Sequence, residues 1–411
     1  MRVGLLLLLA NVGSGANDPR TKERIKGIRD FAKQGSSAIP AIEPYLADAD
    51  LPVRLEATKA IAGIGTQRCL DPLVKALRDN APEVQIAAVI GLTNFYHPGY
   101  SRTGARLSEE NRDVVEAYVQ ARPDVVEGLG KVARGGSSFE ARAHAARALG
   151  VLRAKAATED LLEALKSKNS AVLFEVLIAF QKFGDPANAS RVQYLLRDLD
   201  DRVQIAAIET AGILHNRAAL PDLRDVMERA RNTKIRRAAL TSIAMMADAS
   251  SRNLFLQYFK DKDDGLRGAA AEGLGRLKDP ADRPAMEAAF ESEKKMGPRL
   301  SAAFALVMMG KLELSEFSPL QYLINTLNSK LYRDSAAPLL AELSRQPAVR
   351  QQLYAALPKG TKEEKLRLIR ILGSTGDRET LRALETWKTD ADPEVSQESI
   401  KAIRSIQARL P

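Results

Sequence analysis

Residues 262–293 read KDDGLRGAAAEGLGRLKDPADRPAMEAAFESE, and this stretch decides the fold. Asp263 stands where a helix N-cap belongs, with a carboxylate able to accept the free N–H groups of a first turn. Leu266, Ala270, Leu274 and Leu277 then mark one face at helical spacing, small residues alternating with large. Gly275 lies near the end of that pattern as a stop signal, and Asp279-Pro280 breaks the chain before a second helix carrying Met286 and Phe290. One such hairpin cannot cover its own apolar face. Stacked copies can, so the stretch predicts a repeat.

With Arg267 as anchor, equivalent positions fall at Arg54, Gln85, Arg142, Leu173, Gln204, Arg236, Arg299, Arg333, Lys365 and Ser396, mostly 31 or 32 residues apart. Four places before the anchor, nine of eleven copies offer a capping residue, from Asp50 and Ser138 to Thr361 and Asp392; Ala81 and Lys295 do not. Three places after it nine of eleven residues are Ala or Ser, as close helix approach requires, and seven places after it every residue is apolar. Agreement at three independent offsets predicts an all-α chain: an α-α superhelix, or solenoid, of about eleven stacked helical hairpins.

The pattern Asp-x-x-Val-Arg-x-x-Ala-x-x-Ala-Leu-Gly, present as DLPVRLEATKAIAGIG from Asp50 and DDGLRGAAAEGLG from Asp263, resembles HEAT repeats. The closest resemblance is to the short variety first described in phycobilin lyases. It extends from about Asp50 to the C-terminus and implies an ARM/HEAT-type fold. The family spans enzymes, assembly factors and scaffolds, so the resemblance leaves function open.

Composition agrees with helix packing. Hydrophobic residues make up 45% and aromatics 5%, which suits Ala/Leu helix contacts better than a β-sandwich. At the start, Arg2, the apolar run Val3 to Val12 and the small residues Ser14-Gly15-Ala16 predict a signal peptide over residues 1–16 and a periplasmic or secreted protein. The run is too short for an ordinary membrane span. Residues 17–49 read as a degenerate helix pair capping the array, residues 50–411 as the solenoid, and the half-repeat from about Asp392 as its C-terminal cap. Cys69 is the single cysteine and reads as a small buried residue.

The formal charge is +9, from 61 Lys and Arg against 52 Asp and Glu. Much of it is assigned to a structural ladder at the anchors Arg54, Arg142, Arg236, Arg267, Arg299 and Arg333. In the family such residues tie neighbouring repeats through a carboxylate. A second basic cluster comprises Arg229, Arg231, Lys234 and Arg237, beside the last turn of one helix and the start of the next, and would meet an acidic partner.

The array is interrupted once, where 57 residues separate Gln85 from Arg142. An insertion over about 97–122 is expected, with a loop at 97–106 and a polar helix from about Ser108 to Ala121. Tyr96, His97, Tyr100, Arg102 and Arg106 combine aromatic area with cationic donors, and they form the expected partner-binding site.

Enzymatic chemistry lacks its residues. His97, His144 and His215 are the only histidines and none precedes a Glu, so the iron ligands of deoxyhypusine hydroxylase, a HEAT-repeat enzyme, are missing. One Cys and three scattered His fit no usual zinc spacing, and no P-loop, dinucleotide or nucleophile-elbow motif occurs. Neither a catalytic residue nor a metal or cofactor is expected. The expected activity is non-catalytic binding of another protein or extended peptide, acidic where it meets the basic cluster. The alternatives are a phycobilin-lyase-like factor, for which no bilin-holding cluster stands out, and a cytosolic nucleic-acid binder, which export would disfavour.

Overall fold

The computed structural model describes residues 18–100 and 114–410. Met1–Ala16, Arg102 and Arg106 lie outside the described residues. Every regular element among those described is helical, so the protein is an α-solenoid. It forms two compact units: one runs to Val115 and resumes over Val119–Gly184, and the other comprises Glu116–Tyr118 and the chain from Asp185.

Each repeat has a longer A helix and a shorter B helix. In the first unit the A helices are Leu51–Ile64, Pro82–Tyr96, Phe139–Val151 and Ser170–Phe183, preceded by Pro19–Ala32 with the short turns Ile39–Ile42 and Glu43–Ala47. They pack side by side in sequence order, across the insertion as well. In the second unit the row runs Asp201–Ile213, Thr233–Met245, Asp264–Leu277, Met296–Met308, Arg333–Leu343, Lys362–Thr375 and Pro393–Gln407. There the A helices touch their neighbours along the row, while the B helices make few contacts with one another.

The capping prediction can be followed atom by atom. The residue four before the anchor is the N-cap in every copy except one, where Tyr332 rather than Ser329 caps Arg333–Leu343. The side chains of Ser138, Asn169, Asp200, Asn232, Asp263, Thr361 and Asp392 accept first-turn N–H groups, and Thr361 with Glu364 closes a capping box. Asp50 occupies the N-cap without a side-chain cap bond, because its carboxylate accepts from the Thr21 hydroxyl at 2.6 Å and from Arg24.

Gly275 does not stop its helix. The helix continues to Leu277 and ends in Lys278, which adopts the left-handed region at φ 58°. A Cβ on Gly275 would stand 2.5 Å from the Cα of Ala305, so the glycine lets two A helices meet. The same close approach recurs for Gly91 on Ala62, Gly150 on Ala179, Gly212 on Ser242 and Gly373 on Ala402. The backbone turn itself falls eleven places after the anchor: Gly65, Arg153, Gly184, His215, Ala247, Lys278 and Gly310 all have positive φ. Only three of these seven are glycine, so the turn is invisible to a search for glycine stops.

The insertion departs from expectation at its far end. Residues 114–121 are not helical, and the next helix runs Pro123–Gly135. Proline at 123 keeps Arg122 in an extended conformation, ψ 142°, and the Val115 N–H is spent on the Val151 carbonyl at 2.9 Å.

Candidate functional site

The two tyrosines at the base of the insertion hold it in place. Tyr100 is only 5% exposed, and its hydroxyl meets the Arg147 guanidinium, which also pairs with Glu175. Tyr96 accepts the Arg122 N–H through its hydroxyl at 3.0 Å, with Phe95 packed edge-on to its ring. Arg122 in turn pairs with Asp71 at 2.6 Å and with Asp124. One end of the insertion is therefore clasped at Tyr100 and the other at Arg122. Tyr96 and His97 are half-buried, and the His97 carbonyl accepts the Tyr100 N–H at 3.1 Å in the turn that begins the departure. Of the five residues expected to form one contact site, three are described. Tyr100 points inward, so in this state it offers no area to a partner.

Beside this clasp lies His144. Its Nδ1 is buried without a hydrogen-bond partner, and its Nε2 is 4.0 Å from Glu140. Burial pushes the imidazole below its ordinary pKa, and the Arg147 charge adds to the effect. His144 is thus neutral at pH 7 and a poor cation.

The arginine ladder is less uniform than the family resemblance implies. Arg54 binds Asp79 at 2.8 Å and Arg267 binds Glu293 at 2.9 Å, each reaching a carboxylate in the loop that leads to the next repeat. Each also donates to the carbonyls five and six residues before it: Asp48 and Ala49 for Arg54, Asp261 and Lys262 for Arg267. Arg236 and Arg299 meet rings instead. Arg236 donates to the Tyr258 hydroxyl at 3.1 Å, and Arg299 lies 5.2 Å from the Phe290 centroid and 4.8 Å from that of Tyr322. Arg142 donates to the Ala133 carbonyl and covers the Phe139 ring. Arg333 begins the irregular helix Arg333–Leu343, and the two-carbonyl grip passes to Arg350, which holds the Ser344 and Arg345 carbonyls and pairs with Asp377. Gln346-Pro347 four and three places ahead of Arg350 was the available signal.

Sequence reasoning missed an enclosed charge in the second unit. The Arg276 side chain is 6% exposed, lies 4.8 Å from the Phe304 ring centroid, and binds Glu342 through two 2.8 Å hydrogen bonds and Glu272 at 3.2 Å. Ser301 donates to the other Glu272 oxygen at 2.9 Å. Burial opposes the charge on Arg276, and the two carboxylates more than offset it, so its pKa lies above the usual arginine value. Arg276 and Glu342 stand on A helices two repeats apart, with Met296–Met308 between them. The pair therefore bridges two A helices across the one between them.

The basic cluster divides. Arg229 pairs with Asp225 at 2.6 Å, and Arg237 pairs with Asp263, whose carboxyl it holds below the usual aspartate range. Arg231 and Lys234 are exposed and carry no ion pair among the described residues.

A family described as HEAT repeats matches residues 10–119, 126–212 and 220–307. The search of the curated proteins gives no match. Among solved structures, the crystal structure of an engineered protein aligns with 90% of this chain and 98% of its own, at 16% identity and a TM-score of 0.34. No helix among the described residues is long and apolar enough to cross a membrane.

Proposed function

We propose, from the premise that this chain belongs to the HEAT-repeat family, that it is a non-catalytic scaffold that holds another protein or extended peptide and works outside the cytoplasm. The observation that carries this reading is the clasped insertion. Tyr100 on Arg147 and Arg122 on Tyr96 fix both ends of a segment that departs from an otherwise regular array. A fixed base lowers the cost of bringing a partner to this edge, since the groups that hold it are already placed. His97 beside the base, and Arg102 and Arg106 beyond it, supply the contact groups in this reading. The face of the A row that carries the Arg276–Glu342 pair is the second surface in this reading.

The short phycobilin-lyase-like variety of the repeat is supported by the 31- and 32-residue spacing and by the Ala/Ser rule three places after the anchor. Export is supported by Arg2 and the apolar run to Val12. The family match begins at residue 10, inside the suggested leader, so the two readings of this segment compete directly.

Cells expressing the chain without an N-terminal tag decide both points. The expected result is a mature protein beginning at Asn17 outside the inner membrane, with a cross-linked partner that is lost when residues 101–113 are replaced by a Gly-Ser linker. Cytosolic protein retaining Met1 would overturn export, and unchanged cross-linking would overturn the insertion as the contact site.

A further inference from the structure

The A helices of the second unit run parallel, so the loops that lead into them form a single ridge. Side-chain bonds join these loops one after another: Asn232 to Asp201 at 2.7 Å, Arg237 to Asp263 at 2.6 Å, Arg267 to Glu293 at 2.9 Å, and Asn328 to Thr361 at 2.6 Å. Arg299 over the Tyr322 ring continues the ridge between the loops at 293 and 328.

The charges on this ridge are unevenly spent. Over 228–237, 260–267, 291–299 and 328–334 there are 13 Lys and Arg against 7 Asp and Glu. Most of the acids are already engaged. Asp261 accepts the Asp263 N–H, Asp263 pairs with Arg237, and Arg267 takes both Asp264 and Glu293. The lysines are not engaged. Arg231 and Lys234 in one loop, Lys260 and Lys262 in the next, and Lys294 and Lys295 in the third are exposed and have no acidic partner among the described residues. At the far end Lys330 is followed by Leu331, 81% exposed, and by the exposed Tyr332.

We infer that this ridge is a docking edge for an extended, acidic polypeptide segment with an apolar residue at one end. The geometry favours a chain over other anions. Loops one helix apart repeat at about 10 Å, so four of them span about 30 Å in a line, the length of about nine extended residues. A bilayer would ask for a plane of charge, and a single nucleic-acid strand would ask for stacking rings at each step, of which the ridge exposes only Tyr332. In a segment with three residues per left-handed turn and about 9 Å per turn, carboxylates at every third residue would face successive basic pairs, and its terminal apolar side chain would cover Leu331. This inference rests on the scaffold reading and assigns a surface to it that does not involve the insertion.

The test uses the full-length protein and a labelled peptide of about twelve residues, Glu at every third position and Leu-Leu at one end, followed by fluorescence anisotropy. Binding should weaken steeply with added salt and fall roughly tenfold or more in the K262E/K294E/K295E variant. The Lys→Arg triple variant should retain it, and Leu331→Ser should weaken it without changing the salt slope. Circular dichroism and the thermal midpoint check that each variant is folded. Equal binding by the charge-reversed variant would overturn the site. Lysine-dependent retention of phosphatidylserine vesicles or of a DNA strand, without peptide binding, would overturn the occupant. Replacing residues 101–113 should leave peptide affinity unchanged, so the loss of a cross-linked partner in that variant and the loss of peptide binding here report on separate claims.

Discussion

His144 shows what one half-buried side chain contributes at the residue scale. Its folded pKa is depressed below the unfolded value of about 6.5, so the unfolded chain binds the extra proton first. The stability it confers is complete above that value and is lost as pH falls through the folded pKa. Replacing His144 by Gln should therefore flatten the dependence of urea midpoint on pH between about 7 and 5, with little change at pH 8. Ala247 offers a second test. Its φ of 49° is a conformation that L side chains resist, so Ala247→Gly should stabilise the second unit by about 1 kcal/mol, read as a higher urea midpoint. Neither effect was legible in the sequence. A left-handed residue written as Ala, His, Lys or Arg carries no local mark, and the shift of His144 depends on its surroundings in the packed array, which no local pattern shows. Cap positions were legible because Ser138 or Asp263 acts within its own first turn. Tyr100 read as a contact residue for the same reason that it is buried: it is large, and the sequence does not say which neighbour covers it.

At the scale of the element, the A helix is specified by what it must let approach. Its caps and its apolar residue seven places after the anchor were legible, being features of one helix. The role of Gly275 was not, since the constraint sits on Ala305 in the next helix. Gly275→Val should destabilise the second unit by about 2 kcal/mol despite the better helix propensity of valine, because Ala305 contributes backbone atoms that cannot turn aside. Thermal unfolding followed by the emission of Trp387, which stands under Lys365 in the same unit, gives the readout. The ladder teaches the converse lesson. Regular arginines are easy to find in the sequence, but Arg54 takes an aspartate from the loop after its B helix and Arg299 takes rings from the B helices on either side of it.

For the whole molecule, a repeat array is held together by neighbours, and damage should stay near its source. Gly150 meets the Cα of Ala179 in the first unit much as Gly275 meets Ala305 in the second. Gly150→Val should thus shift the unfolding seen by far-ultraviolet circular dichroism while leaving the Trp387 transition in place; a shift of both together would show that the units unfold as one. Fold class was legible at this scale because eleven imperfect copies average out their exceptions, whereas the site was not, because each candidate occurs once. Cys69 adds a last consequence. It is 1% exposed in the first regular repeat, and it is the sole thiol of the chain. A thiol reagent can reach it only while that repeat is open, so the rate of labelling counts the openings of one address in the array, and the native protein carries its own clock for local breathing.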